Sequence, residues 1–391
     1  MRFRHADGST VHLAYCTNVH PAESLDDLLR VLRDHCAAVR RQLRWERLGI
    51  GLWIARDAAR HLADSPPALR TLRNALQRYG LEVVTLNGFP YAGFGDRRVK
   101  YRVYRPDWRE PARLAYTTDL ARLLAALLPP DATDGSVSTL PLGWRTRFAN
   151  GQPPLRAAHA ALRLLADRLD GIEERTGKSI RVGLEPEPGC VMETAGDAAR
   201  LLTGLPGERI GVCLDTCHLA TCFEHPDAAV AVLQKAGIRI VKAQLSVALH
   251  AEHPHRPGTR QALTAYAEPR FLHQTRGRCD DRLLGTDDLA QALDTDALAD
   301  AGCWRAHFHL PLHAAPEPPL SSTLPDLRAA VARLVGGPVP LTRHLEVETY
   351  TWRALPAPQR PRTADELSAG IAAELRTARD MLIRHGLEES P

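Results

Sequence analysis

Three acidic residues each end an apolar stretch of the chain, at positions where a buried strand would normally carry no charge. Glu185 lies in IRVGLEPEPG, Asp215 in RIGVCLDTCH and Glu346 in HLEVETYTW. Carboxylates that converge in a buried place repel one another and lose hydration, so a divalent cation would be needed to stabilise them. Each acid alone is more simply a solvated loop residue or a helix N-cap, and only their repetition favours a shared metal site.

Other polar residues at predicted strand ends would face the same site: Asn18, His20, Asn87, His218 and Gln244. His218 follows Asp215 by three residues and is a candidate for binding a substrate or a second metal. The simpler alternative is a buried core or cap histidine. His307 and His309 alternate with Phe308 in HFHLPLH, so both histidines face one way, and ligand and packing roles stay equally open for them. Oxygen ligands with one nitrogen or amide partner favour Mn²⁺, Mg²⁺ or Fe²⁺ over a thiolate-type zinc site.

The elements that would position these residues alternate along the chain as short apolar runs and amphipathic segments. Helical spacing covers 24–43, 65–80, 154–177 and 363–386, with Ser65 as an N-cap and Gly80 as a C-terminal stop. This alternation is typical of parallel βα units and predicts an α/β fold, a (β/α)₈ TIM barrel. A doubly wound sheet is the competing fold, but no GxGxxG follows the first strand. In a TIM barrel the active site lies at the C-terminal ends of the strands, which would bring the acids together.

Residues 247–303 interrupt this rhythm because they are polar and rich in histidine and proline. We predict one barrel domain over residues 1–391, with a long insertion between strands 7 and 8 at 247–303. Long insertions at the active-site end of a barrel often act as lids, so this one should cover the barrel mouth. HFHLPLH would then be an extra strand or a loop that returns to the mouth.

Composition excludes several classes of protein. The chain has 391 residues, 44% of them hydrophobic, and a formal net charge of +4. The positive charge is modest and dispersed, which argues against nucleic acid as a partner. No run of eighteen apolar residues and no signal-peptide core is present, so we expect a cytoplasmic protein. The eight cysteines form no CxxC pair and fit no common zinc module, which predicts reduced and mostly buried thiols.

GLEPEPG, CLDTCH and LEVETYTW, in that order, resemble the xylose isomerase-like barrel superfamily of sugar isomerases, ketose 3-epimerases and endonuclease IV. The resemblance implies a metal bound by acids after strands 5, 6 and 8, matched by Glu185, Asp215 and Glu346. Gln244 stands where the family has a histidine after strand 7, so an amide oxygen would be the fourth ligand. His218 matches the substrate-binding histidine of the D-x-x-H motif. Glu187 replaces the lysine of the xylose isomerase E-P-K-P motif, which disfavours a hydride shift.

A closer resemblance covers nearly the whole chain. LAYCTNVHP, GLW, NGFPYAGF, HFHLPL and HLEVETYTW are similar to the EboE group of bacterial "metabolite traffic" proteins. That group occurs with a sugar-phosphate-cyclase-like enzyme and a prenyltransferase-like membrane protein. The resemblance implies a role in making or moving a small polar metabolite such as a cyclitol or a sugar, with those pathway proteins as possible partners.

These observations favour a metal-dependent isomerase or epimerase, with Glu185 and Glu346 as catalytic residues that exchange a proton next to a carbonyl. The cofactor would be Mn²⁺, Mg²⁺, Fe²⁺ or Co²⁺, with Zn²⁺ as an alternative, and the substrate would contact Asn18, His20, Asn87, His218 and His309. A non-catalytic carrier or scaffold of the same pathway is the alternative, supported by Gln244 in place of histidine. A phosphoesterase like endonuclease IV ranks lower, because the second and third predicted strands end without histidine.

Overall fold

The computed structural model describes residues 1–149 and 152–390. Positions 150, 151 and 391 of the predicted single-domain span lie outside the described residues. Along the chain the strands are β1 (Arg2–Arg4), β2 (Thr10–Cys16), β3 (Leu48–Trp53), β4 (Leu81–Asn87), β5 (Asp134–Thr139), β6 (Ser179–Leu184), β7 (Ile210–Asp215), β8 (Ile240–Leu245), β9 (Leu249–Ala251), β10 (Thr275–Cys279), β11 (Arg282–Thr286), β12 (Cys303–Ala306), β13 (Ser321–Ser322), β14 (His344–Val347) and β15 (Glu388–Ser390).

The α-helices lie between and after these strands. They are α1 (Leu25–Val31), α2 (Ala37–Leu43), α3 (Arg56–Asp64), α4 (Pro66–Tyr79), α5 (Pro111–Leu127), α6 (Gln152–Thr176), α7 (Ala195–Leu202), α8 (Thr216–Thr221), α9 (Pro226–Lys235), α10 (Pro257–Thr264), α11 (Leu289–Asp294), α12 (Leu324–Val335) and α13 (Ala364–Arg384). A π-helical turn, Leu32–Cys36, joins α1 to α2. Among the described residues, no helix is both long and apolar enough to cross a membrane.

Eight parallel strands, β2 to β8 followed by β14, form a closed barrel, because β14 pairs with both β8 and β2. The predicted (β/α)₈ TIM barrel is confirmed. Every residue of β3, β4, β7 and β8 is buried, as expected for parallel strands that are covered by helices on one side and by the barrel interior on the other. β1 and β15 extend the sheet at one edge, where β1 pairs antiparallel with both β2 and β15.

The four helices predicted from amphipathic spacing are present as α1 with α2, α4, α6 and α13. The Ser65 side chain caps α4 by accepting a hydrogen bond from the backbone of Ala68. Gly80 ends the same helix in the left-handed region, with φ 64°, a conformation that glycine adopts without strain. Local capping and the period of the apolar residues therefore define these helices.

The insertion between strands 7 and 8 of the barrel is β9 to β13 with α10 and α11, and it has its own five-stranded sheet, in the order β11, β10, β12, β9, β13. It ends later than residue 303, because β12 and β13 both pair antiparallel with β9. HFHLPLH begins where β12 ends, so His307 and His309 lie in the loop that follows this strand. All eight cysteines are free thiols within the described part of the chain.

Gly51 of β3 provides a test of how tightly the barrel interior is packed. A Cβ atom at this position would overlap the carboxylate of Glu346, whose other oxygen is paired with Lys242. We expect Gly51→Ala to lower the free energy of unfolding by about 1–3 kcal/mol, since overpacking forces neighbours out of place. Gly258→Ala is the matched control, because nothing lies within 4 Å of its added methyl group. Equal unfolding midpoints for both variants in urea would contradict the packing described here.

Candidate functional site

The side chains of Glu185, Asp215 and Glu348 meet at the carboxyl end of the barrel. One oxygen of each lies within 4.8 Å of one oxygen of the other two, and all three residues are buried. Asp215 is the last residue of β7, while Glu185 and Glu348 follow the last residues of β6 and β14. Because these strands are parallel, their ends open on the same side of the barrel. The carboxylate site, as we call Glu185, Asp215 and Glu348, has the oxygen chemistry that hard divalent cations prefer.

Glu346 is not part of the carboxylate site. It lies two residues before Glu348, and its Oε2 atom forms an ion pair with Nζ of Lys242, with both side chains fully buried. Side chains alternate along a strand, so Glu346 and Glu348 point to the same side of β14 at different depths. The structure thus differs from the expectation that Glu346 acts as ligand and catalytic residue: Glu348 reaches the site, and Glu346 balances a buried lysine below it.

Asp215 is held so that one oxygen is left for a ligand. Its Oδ1 atom accepts hydrogen bonds from the backbone of His218 at 3.0 Å and from the hydroxyl of Ser246 at 2.8 Å. Within residues 1–149 and 152–390, neither Asp215 Oδ2 nor Glu185 Oε2 has a hydrogen-bond partner, although both atoms are buried. A buried carboxylate oxygen without a partner is costly, so both atoms fit a site that binds a cation.

Glu348 is positioned by two amides, one that follows the neighbouring strand β2 and one at the end of β4. Asn18 and Asn87 each donate a hydrogen bond to Glu348 Oε1, at 2.7 and 2.8 Å. Both asparagines, predicted from the sequence to contact a substrate, also line the cavity at the barrel mouth. They therefore fix the orientation of the Glu348 carboxylate beside the cavity.

The electrostatics of the carboxylate site are unfavourable when no cation is bound. Burial, followed by the nearby Glu348 and Asp215 carboxylates, raises the pKa of Glu185 well above its usual range. Burial, followed by Asp215 and Glu346, raises the pKa of Glu348 to about 8. The cause is the same in both cases, because removing water and adding like charges both penalise the ionised form. A divalent cation would reverse that penalty.

Gln244 is at the end of the seventh barrel strand, paired in register with Asp215 on one side and Glu346 on the other. It is fully buried, and neither its amide oxygen nor its amide nitrogen has a hydrogen-bond partner in the described ranges. A buried amide without hydrogen-bond partners among the described residues is consistent with the expected metal-ligand role, since its oxygen can bind a cation.

Three histidines lie beside the carboxylates. His218 comes from the start of α8, while His307 and His309 come from the loop after β12 in the insertion. All three are buried and line the cavity at the barrel mouth. His309 Nε2 is 3.9 Å from Asp215 Oδ2, so the insertion brings an imidazole to the barrel acids. Burial, partly opposed by Asp215, lowers the pKa of His309 to about 4, which keeps this ring neutral.

Aromatic side chains line the cavity together with the acids. Phe94 from the loop after β4, Phe271 from the insertion and Tyr350 from the segment after β14 contact one another, with ring centroids 4.9–5.3 Å apart. We call these three residues the aromatic cap. The other lining residues are Asn18, Asn87, Phe89, Pro90, Val99, Lys100, Val103, Tyr104, Glu185, Glu187, His218, Leu272, His307, His309 and Glu348. A small molecule bound here would contact both aromatic rings and carboxylates.

His20 does not reach the cavity. Its ring is buried, stacks on His35 with centroids 4.2 Å apart and meets the edge of Tyr15. The expected substrate contact of His20 therefore has no counterpart in the structure, because the chain turns at Thr17–Val19 and directs this ring into the helical layer.

Sequence reasoning left Lys242, Glu348 and Tyr350 out of the predicted site, and it left the role of His307 open. Two of the three residues left out, Lys242 and Glu348, had a signal in the sequence. Lys242 lies in the apolar run IVKAQL, where a buried ammonium requires an acidic partner. Glu348 is the acid just beyond β14, the same position that Glu185 holds relative to β6.

A closed parallel barrel with a buried carboxylate site at the carboxyl ends of its strands defines the class of protein to which this chain is related. Residues 48–293, more than half of the chain, match the family described as xylose isomerase-like TIM barrel. The chain belongs to that family. No curated protein is similar enough in sequence to be matched to it.

Several solved structures are similar to the chain at low sequence identity. A xylose isomerase-like TIM barrel protein from Mycobacterium smegmatis, in complex with magnesium, is 15% identical over 95% of this chain and 98% of that one, with a TM-score of 0.51. D-Psicose 3-epimerase with D-tagatose from Clostridium cellulolyticum H10 is 14% identical over 95% and 99% of the two chains, with a TM-score of 0.46. A xylose isomerase domain protein from Alicyclobacillus acidocaldarius is 15% identical over 96% and 99%, with a TM-score of 0.44.

The buried pair of Lys242 and Glu346 leads to a prediction about stability. Lys242→Met leaves the Glu346 carboxylate buried without its partner, which should lower the free energy of unfolding by about 3–5 kcal/mol. Adding Glu346→Gln to that variant removes the uncompensated charge and should restore a large part of the loss. Urea unfolding followed by circular dichroism measures both. A double variant as unstable as the single one would show that the pair does not neutralise Glu346.

Proposed function

We propose that the protein is a metal-dependent isomerase or epimerase that acts on a small polyhydroxylated molecule, a sugar or a cyclitol. The observation that carries this proposal is the approach of Glu185, Asp215 and Glu348 to within 4.8 Å of one another, with Glu185 and Glu348 lining the cavity at the barrel mouth. Membership of the xylose isomerase-like family supports the reaction class.

The residues that would hold the cation are Glu185, Asp215 and Glu348, with the amide oxygen of Gln244 as a further ligand. The fit rests on the buried oxygens of Glu185, Asp215 and Gln244 that lack a partner among the described residues. Oxygen donors favour Mn²⁺, Mg²⁺, Fe²⁺ or Co²⁺. When bound, such a cation would polarise a substrate carbonyl and make the neighbouring C–H group more acidic.

Glu185 and Glu348 are the groups that would move the proton. They come from the fifth and eighth barrel strands, so they reach the cavity from different sides of the barrel. An epimerase needs this arrangement, because one carboxylate removes a proton from carbon and another delivers a proton to the other face. Asn18 and Asn87 would hold Glu348 in one orientation through this step by donating to its Oε1 atom.

The aromatic cap suits a substrate of this kind. Phe94, Phe271 and Tyr350 can pack on the C–H face of a sugar or cyclitol ring, while carboxylate and amide groups meet its hydroxyls. The cap also excludes water from the site, which strengthens electrostatic interactions there and protects a reactive carbanionic species from side reactions.

The pathway is a further part of the proposal. The sequence likeness to the EboE group supports a small polar metabolite of an Ebo-type biosynthesis or trafficking pathway as the substrate. The partners would then be the pathway proteins, including a prenyltransferase-like membrane protein. Nucleic acid is not among the proposed partners, since the net charge of +4 is small for 391 residues.

Solvent deuterium exchange into candidate ketoses and keto-cyclitols tests the proton transfer. We expect the manganese-loaded protein to exchange deuterium at carbon next to the carbonyl, and Glu185→Gln or Glu348→Gln to lower that rate at least a hundredfold, by loss of the general base. Glu252→Gln, an exposed residue of the insertion, is the matched control and should leave the rate unchanged.

Glu346→Gln distinguishes the two acids of the eighth strand. If Glu348 is the base, Glu346→Gln should alter exchange much less than Glu348→Gln in protein that remains folded. Exchange that persists undiminished in both Glu185→Gln and Glu348→Gln would overturn the two-carboxylate mechanism. Tight binding of a candidate without any exchange by the unaltered protein would favour a carrier instead.

A further inference from the structure

Glu187 is a further acid that lines the cavity, and it lies outside the carboxylate site. It is the third residue after β6, and it is buried. Its two carboxylate oxygens differ in their surroundings, because Oε1 accepts hydrogen bonds whereas Oε2 is buried without a partner within residues 1–149 and 152–390. A buried carboxylate oxygen without a partner is costly, so Oε2 indicates a ligand that supplies the missing donor.

The Oε1 atom of Glu187 is held by donors from two other parts of the fold. The hydroxyl of Tyr104 donates to it at 2.6 Å, and Nε2 of Gln274 donates to it at 3.0 Å. The same amide nitrogen donates to the carbonyl of Pro188 at 2.9 Å, which holds Gln274 in place. Tyr104 belongs to the segment after β4 and Gln274 to the insertion. The direction of Oε2 is therefore set before a ligand binds, which lowers the entropic cost of binding.

The cavity carries more negative charge than its own residues neutralise. Lys100 is the one lysine or arginine among the described residues that line it, and its ammonium group forms an ion pair with Asp288 of the insertion. A divalent cation at the carboxylate site would balance Glu185 and Glu348 and would leave Glu187 uncompensated. Since no lysine or arginine in the described ranges pairs with Glu187, its carboxylate favours a cationic ligand over a neutral one.

Tyr104 contributes an aromatic ring to this part of the cavity as well as a hydroxyl. The ring lines the cavity and lies edge to face with that of Phe89, with centroids 6.1 Å apart. An ammonium group near the face of such a ring gains a cation–π attraction that a hydroxyl or a phosphate lacks. The carboxylate and the aromatic rings thus favour the same kind of ligand.

We propose that the substrate is an amino sugar or an aminocyclitol without a phosphate group, and that its protonated amino group binds Oε2 of Glu187. An ammonium group brings N–H donors together with a positive charge, so it forms a charge-assisted hydrogen bond with this oxygen. A phosphate would add negative charge to a cavity whose one described lysine is already paired with Asp288. The polyhydroxylated frame of the substrate rests on the proposed function, whereas the amine is tested by binding alone.

One small molecule can contact both Glu187 and the carboxylate site. A ring nitrogen of His218 lies within 4.8 Å of an oxygen of Glu187, and a ring nitrogen of the same residue lies within 4.8 Å of an oxygen of Asp215. Glu185, two residues before Glu187, lines the same cavity. The amino group would therefore be held beside the part of the substrate that reacts.

Isothermal titration calorimetry of the magnesium-loaded full chain tests the amine. D-Glucose and myo-inositol are the parent compounds, and the probes are their isomers in which one hydroxyl is replaced by an amino group. Mg²⁺ is chosen because it prefers oxygen ligands to amines. We expect at least one amino isomer to bind about tenfold or more tightly than its parent, as a hydrogen bond between charged groups provides. N-acetylation removes the charge and should abolish this gain.

Glu187→Gln should reduce the affinity for that amino isomer to the affinity for its parent, because the amide is neutral and keeps the shape of the side chain. The affinity for the parent itself should stay unchanged. Glu252→Gln, at an exposed position of the insertion, is the control and should retain the preference. Tyr104→Phe is a second variant that removes a donor to Oε1, and it should weaken the preference in protein whose circular dichroism spectrum is unaltered.

A panel in which no amino isomer binds more tightly than its parent would overturn the inference, as would a preference that Glu187→Gln leaves intact. Deuterium exchange into the same compounds separates this inference from the proposed function. Exchange without a preference for amines would leave the isomerase or epimerase standing and remove only the amine. A preference that depends on Glu187, without any exchange, would support the amine and count against the proposed reaction.

Discussion

Four carboxylates buried inside one barrel set the main physical constraint on this structure. Glu185, Asp215, Glu346 and Glu348 are all nearly inaccessible to water, where each negative charge is costly and each raises the cost of the others. The charge of the deepest carboxylate, Glu346, is neutralised by an ion pair with Lys242. The remaining three lie higher, beside the cavity, where a cation and a substrate can reach them.

This separation by depth explains how one strand serves two purposes. Glu346 and Glu348 share a side of β14, but only Glu348 lies beyond the end of the strand. The deeper acid forms an ion pair that stabilises the barrel, and the shallower acid is oriented by Asn18 and Asn87 toward the site. Stability and chemistry are thus assigned to neighbouring residues of the same strand.

The insertion supplies two imidazoles and an aromatic ring to the site. Gln244 occupies the end of the seventh strand, so this position offers an amide and no imidazole. His307 and His309 arrive from the insertion instead, and His309 comes within 3.9 Å of Asp215. Phe271 of the insertion also joins the aromatic cap. The insertion therefore contributes side chains to the site.

The barrel, its long helices and the presence of an insertion could be predicted from the sequence, because the spacing of apolar residues and the capping residues act locally. Glu185 and Asp215 could be found because each stands at the end of an apolar run. The choice between Glu346 and Glu348 could not be made in the same way, because both point to the same side and only the position of the strand end decides their depth. The orientation of the His20 ring could not be predicted for a similar reason, because one turn after β2 decides whether the ring faces the cavity or the helices.

The central claim is that the carboxylate site binds a divalent cation, and anomalous X-ray diffraction tests it most directly. Crystals soaked in Mn²⁺ and measured above the manganese absorption edge should show an anomalous peak bounded by Glu185, Asp215 and Glu348, with Glu346 still paired to Lys242. A map without a peak at this position at saturating Mn²⁺, with the three carboxylates ordered as described here, would contradict the account.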